Sequence, residues 1–330
     1  MQKRKIEALE QDVSAIGLGC MGMSEFYGTS DDAQSLDTLE FAFENGINFF
    51  DTADMYGTGH NEELLAKFIK GKREQLVMGT KFGIVRKPDA YERTVDNSPA
   101  YIKQACEASL KRLGTDYIDL YYCHRRNQDT PIEEMMEALA GLVKAGKIKG
   151  IGLSEVTAET LRRAHAVHPV SVIQSEYSLW SRVAEDDVLP TCRELGVTFV
   201  AYSPLGRGFL SGKIPNINAL EAGDFRRFNP RFSEEALKQN FALAEQLKEV
   251  AEQKKATEAQ LALAWLLAKH DNVVPIPGTR NKDRLLENIG AADVMLTAED
   301  IAALDQIFTP DKVIGARYPD NGVVGIETPV

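Results

Sequence analysis

The 330-residue chain has no stretch able to cross a membrane. Its longest clean apolar run, Leu261 to Ala268, is eight residues, where about 20 are needed. Lys3, Arg4 and Lys5 lie near the start, but no apolar segment follows them, so no secretory signal is expected. Cysteine is scarce. Cys20, Cys106, Cys123 and Cys192 stand far apart with no Cys-x-x-Cys pair, so free thiols in a reducing, cytoplasmic setting are expected. Among five histidines only His165 and His168 have a metal-like spacing. Pro169 follows them, so they are read as a helix end and no metal site is expected. Positive charge is also in deficit: 38 Lys plus Arg against 49 Asp plus Glu, a formal net charge of −11. That balance speaks against a nucleic-acid partner. An anionic ligand would have to be held by locally placed cations.

Several nucleotide and hydrolase signatures are missing as well. Gly17-Leu18-Gly19-Cys20-Met21-Gly22 has the G-x-G-x-x-G spacing after a strand-like run, but loop-like residues Met23 to Asp31 follow it. A dinucleotide fingerprint needs a helix to open at once, with its N-terminus at the pyrophosphate. The segment is therefore read as a glycine-shaped strand-to-helix loop. Gly206 to Lys213 lacks P-loop spacing, and Ile214 stands where Ser or Thr is required. There is no G-x-S-x-G. No tyrosine has a lysine four residues later.

What is present is a rhythm. Eight short apolar runs read as strands: Val13 to Leu18, Ile47 to Phe50, Leu76 to Phe82, Tyr117 to Cys123, Ile148 to Leu153, Val172 to Tyr177, Val197 to Tyr202 and Asn272 to Ile276. Several are nearly continuous, as suits parallel strands buried on both faces. Eight helical stretches alternate with them: Asp32 to Glu44, Glu62 to Lys70, Ser98 to Leu113, Pro131 to Ala145, Thr157 to Val167, Asp186 to Leu195, Glu234 to Lys255 and Asn281 to Ile289. In the third, Ser98 is an N-cap, Pro99 takes the first helical position, and Gly114 ends the helix. Composition is ordinary, 26% charged and 44% hydrophobic. Barrels of this length are routinely one domain, so residues 1–330 are expected to form one (β/α)₈ TIM barrel. A doubly wound open sheet has the same rhythm and stays open on pattern alone. Gly206 to Phe232 is read as a long loop after the seventh strand, and the C-terminal tail carries a short helix, Ala298 to Phe308.

In a parallel barrel all strand C-termini share one face, where active sites form. Asp51, Lys81 and His124 end successive strands, and Tyr56 follows Asp51 closely. Together they suit the protonation of an oxygen that is gaining negative charge. A phenol can give the proton, an ammonium held by a carboxylate can lower the phenol's pKa, and an imidazole can donate to the carbonyl. Lys81 also leaves open a Schiff-base lyase, although Asp51 favours the charged amine.

The chain resembles the aldo-keto reductase superfamily. The resemblance is carried by Phe50-Asp51-Thr52-Ala53-Asp54-Met55-Tyr56-Gly57, Gly79-Thr80-Lys81, Asp119-Leu120-Tyr121-Tyr122-Cys123-His124, Gly152-Leu153-Ser154, Ala201-Tyr202-Ser203-Pro204-Leu205-Gly206, Pro277-Gly278-Thr279 and Glu287-Asn288. Glu107 to Leu113 and Glu176 to Trp180 further resemble the branch with perakine reductase and bacterial relatives. The resemblance implies a (β/α)₈ barrel that uses NADPH to reduce an aldehyde or ketone. It implies Tyr56 as acid, Lys81 as its tuner, Asp51 as the anchor of Lys81, and His124 as the group orienting the carbonyl. It implies cofactor contacts from Ser154, Glu155 and Gln174 at the carboxamide and from Tyr202 by stacking. Ser203, Leu205, Gly206 and Gly208 would meet the pyrophosphate, and Thr279, Arg280, Arg284, Glu287 and Asn288 the adenosine end. Arg280 and Arg284 share a helix face and suit a dianion, hence NADPH over NADH.

Two departures from the family pattern stand out. Glu155 replaces the Asn common after the serine, and an ionised glutamate accepts but cannot donate. Glu7 to Asp12 lacks the glycine of the family's N-terminal hairpin turn. The expected partner is a small carbonyl substrate, with Met23, Phe26, Tyr27, Arg125, Arg126 and Trp180 near it in loops. Monomer and homo-oligomer are both compatible with the sequence. Barrel relatives attached to potassium channels suggest a further alternative, a cofactor-sensing binding module with slow turnover.

Overall fold

The computed structural model describes residues 1–7, 9–86, 92–214 and 216–329. Eight strands form one sheet: β1 (Leu18–Gly19), β2 (Phe49–Asp51), β3 (Val77–Phe82), β4 (Ile118–Cys123), β5 (Ile148–Ser154), β6 (Val172–Glu176), β7 (Thr198–Tyr202) and β8 (Val273–Pro275). Each pairs in parallel with the next in sequence. The sheet curls until β1 meets β8, where Gly17 N donates to Pro275 O at 3.0 Å and Gly19 N to Pro277 O at 3.3 Å. These bonds close the barrel and exclude the open sheet. Glycine is required at the seam, since a Cβ on Gly19 would stand 2.8 Å from the Ile276 carbonyl oxygen.

Helices fill the outer layer: α1 (Asp32–Glu44), α2 (His60–Ile69), α3 (Pro99–Leu113), α4 (Ile132–Lys144), α5 (Ala158–Val167), α6 (Val188–Leu195), α7 (Glu234–Gln253), α8 (Glu258–Lys269), α9 (Lys282–Gly290) and α10 (Ala298–Ile307). Their starts follow the local sequence. Ser98 accepts from Tyr101 N ahead of α3, an N-cap worth about 1 kcal/mol, and Gly114 ends that helix in the left-handed region at φ 64°. The sequence pattern missed α8. Glu234 to Lys255 was expected to be the seventh barrel helix, but α8 packs against β8 and α9. Helix α7 lies outside, against α8 and α10. From Ala259 to Leu266 only Gln260 escapes burial in α8, so no 3.6-residue stripe marks it.

The run Val13 to Leu18 also divides. Val13–Ser14 pairs antiparallel with Lys3–Arg4, and only Leu18–Gly19 joins the barrel. The N-terminal hairpin therefore forms without a glycine in its turn, because Ile6, Leu9 and Val13 plug the barrel floor. Above them Phe49, Val77, Leu120, Tyr122, Val172, Val200 and Val274 fill the interior. Alternate residues of a strand share one face. The positions two residues on, or four on where a glycine intervenes, bring Asp51, Lys81, His124, Ser154, Gln174 and Tyr202 to the top of the same interior.

Candidate active site

At that C-terminal mouth, Lys81 is wholly buried. Its Nζ donates to Asp51 Oδ1 at 2.5 Å, to the Thr52 carbonyl at 2.6 Å and to the Tyr56 hydroxyl at 3.3 Å. Gln174 Nε2 donates to the other Asp51 oxygen at 2.8 Å. Burial pushes Asp51 up and Lys81 down, and each one's charge resists the other's shift. With both Asp51 oxygens and Lys81 Nζ hydrogen-bonded, the pair stands as an ion pair. Tyr56 leaves the end of β2 through a turn that runs left-handed at Gly57, Thr58 and Gly59 before α2. A Cβ on Gly59 would fall 2.7 Å from Arg112 Cδ.

Ring centroids of Tyr56 and His124 lie 5.8 Å apart, edge to face. Burial and the Asp51 charge hold the Tyr56 phenol well above its ordinary pKa, with Arg125 opposing them. This differs from the expected depression by Lys81, because burial and the Asp51 charge outweigh the ammonium beside the phenol. Burial, then Lys81, Arg125 and Arg93, hold His124 well below the usual imidazole range. It is a neutral ring at physiological pH. Its Nδ1 is buried without a partner among the described residues.

The tetrad faces a cavity of about 550 Å³, within the range of ligand sites. Asp51, Tyr56 and His124 stand on its wall, with Lys81 behind them. Ser154, Gln174, Tyr202, Ser203, Leu205, Gly208, Thr279, Arg280, Arg284, Glu287 and Asn288 also line it. Gly206 lies behind the wall: at φ 55° its α-carbon backs on Trp180, and a Cβ would meet the indole Nε1 at 2.5 Å. Left-handed backbone at Ser203, Gly206, Arg207 and Gly208 curls this loop after β7.

Arg280 is engaged elsewhere, with its guanidinium donating to the carbonyls of Thr29 and Tyr27. Arg284 has no ion pair among the described residues. Lys213 meets Glu287 at 2.6 Å, joining the long loop to α9; residue 215 of that loop lies outside the described residues. Of the loop residues expected near the substrate, Met23, Phe26, Tyr27 and Arg125 line the cavity. Arg126 and Trp180 do not: Arg126 pairs with Glu327, and Trp180 stacks on Phe209 at 4.4 Å.

Glu155 departs furthest from its expected role. It sits at φ 55°, fully buried. Its carboxylate accepts from Arg317 at 3.2 and 3.1 Å, Thr328 at 2.5 Å, Tyr202 at 2.7 Å and Glu176 N at 2.9 Å. Burial pushes this carboxyl up, but Arg317 and the other donors bring it down to about 2. The side chain thus holds the C-terminal tail over the barrel mouth instead of lining the cavity. The tail delivers Tyr318, whose hydroxyl meets that of Tyr202 at 2.9 Å. Tyr318, Arg93 and Arg207 line the cavity and were missed in the sequence. Only Arg207, between two glycines of an expected cofactor loop, carried a local signal.

The model of the Aldo/keto reductase family matches residues 15–308. The chain is 45% identical over 312 residues to aldo-keto reductase yakc [NADP(+)] of Schizosaccharomyces pombe, covering 93% of this chain and 92% of that one. Among solved structures, the glycerol dehydrogenase AKR11B4 from Gluconobacter oxydans superposes with a TM-score of 0.86 at 28% identity, over 93% of this chain and 96% of that one. The holo form of aldo-keto reductase AKR11C1 from Bacillus halodurans does so with a TM-score of 0.79 at 31% identity, over 97% and 99%. The chain belongs to the aldo/keto reductase family, the oxidoreductases that act on carbonyl compounds. Among the described residues no helix is long and apolar enough to cross a membrane.

Proposed function

We propose that the protein reduces an aldehyde or ketone to an alcohol with NADPH, and that Tyr56 supplies the proton. The observation that carries this reading is the 3.3 Å approach of Lys81 Nζ to the Tyr56 hydroxyl, on the wall of a cavity shared with a neutral imidazole. Bound NADPH would supply hydride at its nicotinamide. The donors at Ser154 and Gln174, the ring of Tyr202, the left-handed loop after β7 and the Arg284 side chain fit the successive parts of a dinucleotide. The NADP(+) in the name of the Schizosaccharomyces pombe relative agrees with that fit.

His124, uncharged, donates one N–H to the carbonyl oxygen and orients it. As that oxygen gains charge, the nearby phenol gives up its proton. Phenol is a stronger acid than an alcohol, so transfer is favourable even from a raised pKa. Lys81 stabilises the phenolate left behind, and Asp51 holds the ammonium in place. A Schiff-base role for Lys81 is disfavoured by its burial and its three acceptors, which leave the amine no approach.

The test is NADPH oxidation, followed by absorbance, over a panel of aldehydes and ketones for the parent and Tyr56→Phe. Activity falls at least roughly a hundredfold, as for removal of a general acid, with NADPH affinity nearly unchanged. Comparable turnover in the variant would remove Tyr56 from its role.

A further inference from the structure

Two guanidinium groups, those of Arg125 and Arg93, line the cavity without an ion-pair partner among the described residues. Arg125, only 6% exposed, follows His124 directly at the end of β4. Its Nη1 donates to the His124 carbonyl at 2.8 Å and to Ser154 Oγ at 3.3 Å. Its Nε is buried with no partner among the described residues. Arg93 comes from a hairpin (Ile84–Arg86 with Arg93–Val95) that stands beside the mouth, and its Nη2 donates to the Gly322 carbonyl at 2.8 Å. Among the described residues neither forms an ion pair, although the neighbouring cations do. Arg86 pairs with Glu25, Arg207 with Glu176 at 3.0 Å and Arg226 with Asp224 at 2.6 Å.

A buried cation held only by neutral acceptors is costly. Glu155 favours the Arg125 charge without touching it, and the arrangement is explained if a ligand brings a directly paired anion. That ligand is not the cofactor's phosphates. The loop after β7 and the start of α9 suit those, and β4 lies opposite β8 in an eight-stranded ring. Met55, Ile84 and Tyr318 line the same cavity, surface suited to a short carbon chain.

We infer that the substrate is a carbonyl compound bearing an anionic oxygen group, a carboxylate or a phosphate, which Arg125 and Arg93 bind while Tyr56 and His124 address the carbonyl. This rests on the reductase reading above. A guanidinium fork matches either group in two parallel hydrogen bonds. A site built for that contact rejects analogues lacking it.

The experiment compares kcat/KM for matched pairs: an oxo-carboxylate with its methyl ester, and a phosphorylated carbonyl with its dephosphorylated form. The parent prefers one anion over its neutral mate by roughly a hundredfold, as charge-assisted contacts provide. Whichever pair shows the preference identifies the group. The ratio collapses toward one in Arg125→Met, is partly kept in Arg125→Lys, and falls less in Arg93→Met. A parent ratio near one, or a high ratio surviving both methionine substitutions, overturns the inference.

Calorimetric binding of pentanoate and of inorganic phosphate, on NADPH-saturated Tyr56→Phe with and without Arg125→Met, needs no turnover. Binding that requires Arg125, alongside no reduction of any carbonyl by the parent, would sink the reductase reading and keep the anion site. Reduction of charged and neutral carbonyls alike would do the reverse.

Discussion

Lys81 Nζ and Asp51 Oδ1 meet 2.5 Å apart beneath the cavity, with the lysine fully buried and the aspartate nearly so. Removing one partner leaves the other charge uncompensated. Asp51→Asn and Lys81→Met should each cost about 3–5 kcal/mol of stability, read from urea denaturation. The double substitution should recover much of that loss and still lack reductase activity. Single variants as stable as the parent would mean that the pair is not ionised.

The neutrality of His124 sets the pH behaviour of the reaction. Burial and three cations keep its pKa well below the usual value, and burial keeps the Tyr56 phenol protonated. Neither group changes charge between about pH 6 and 9, given ordinary values near 6.5 and 10. The kcat/KM profile for reduction should therefore be flat across that window. An inflection near the ordinary imidazole pKa that disappears in His124→Gln would contradict this.

Glu155 links acid stability to the tail. Its carboxyl is lowered from 4.5 to about 2 in the folded protein. A folded value below the unfolded one means the contribution is full above about pH 4.5 and is lost as pH falls toward 2. Its size is on the order of 3 kcal/mol. Acid-unfolding curves of Glu155→Gln should lose this part of the pH dependence and show lower stability at neutral pH. Proteolysis should cut the tail around Arg317 sooner in the variant. Unchanged acid unfolding would sever the link.

The proposed catalytic positions were legible because strand parity is local. Asp51, Lys81 and His124 lie on the same face as Phe49, Val77 and Leu120 of their own strands, and all three strands run the same way. Any closed parallel arrangement gathers their tops. Helix α8 was illegible for the opposite reason: burial on nearly every side erased its period.

The chain by itself determined the alternation of strands and helices, the caps that start and end them, and which residues crown the interior of the barrel. Each of those depends on neighbours a few residues away. Only the tertiary structure decided that Glu155 holds Arg317 at 3.1 Å across 162 positions, that Tyr318 reaches Tyr202, and that Arg125 and Arg93 line one cavity with no ion-pair partner among the described residues. A contact between distant segments leaves no periodic mark near either residue. It arises from how the tail and hairpin pack over a closed barrel, which sequence spacing does not encode.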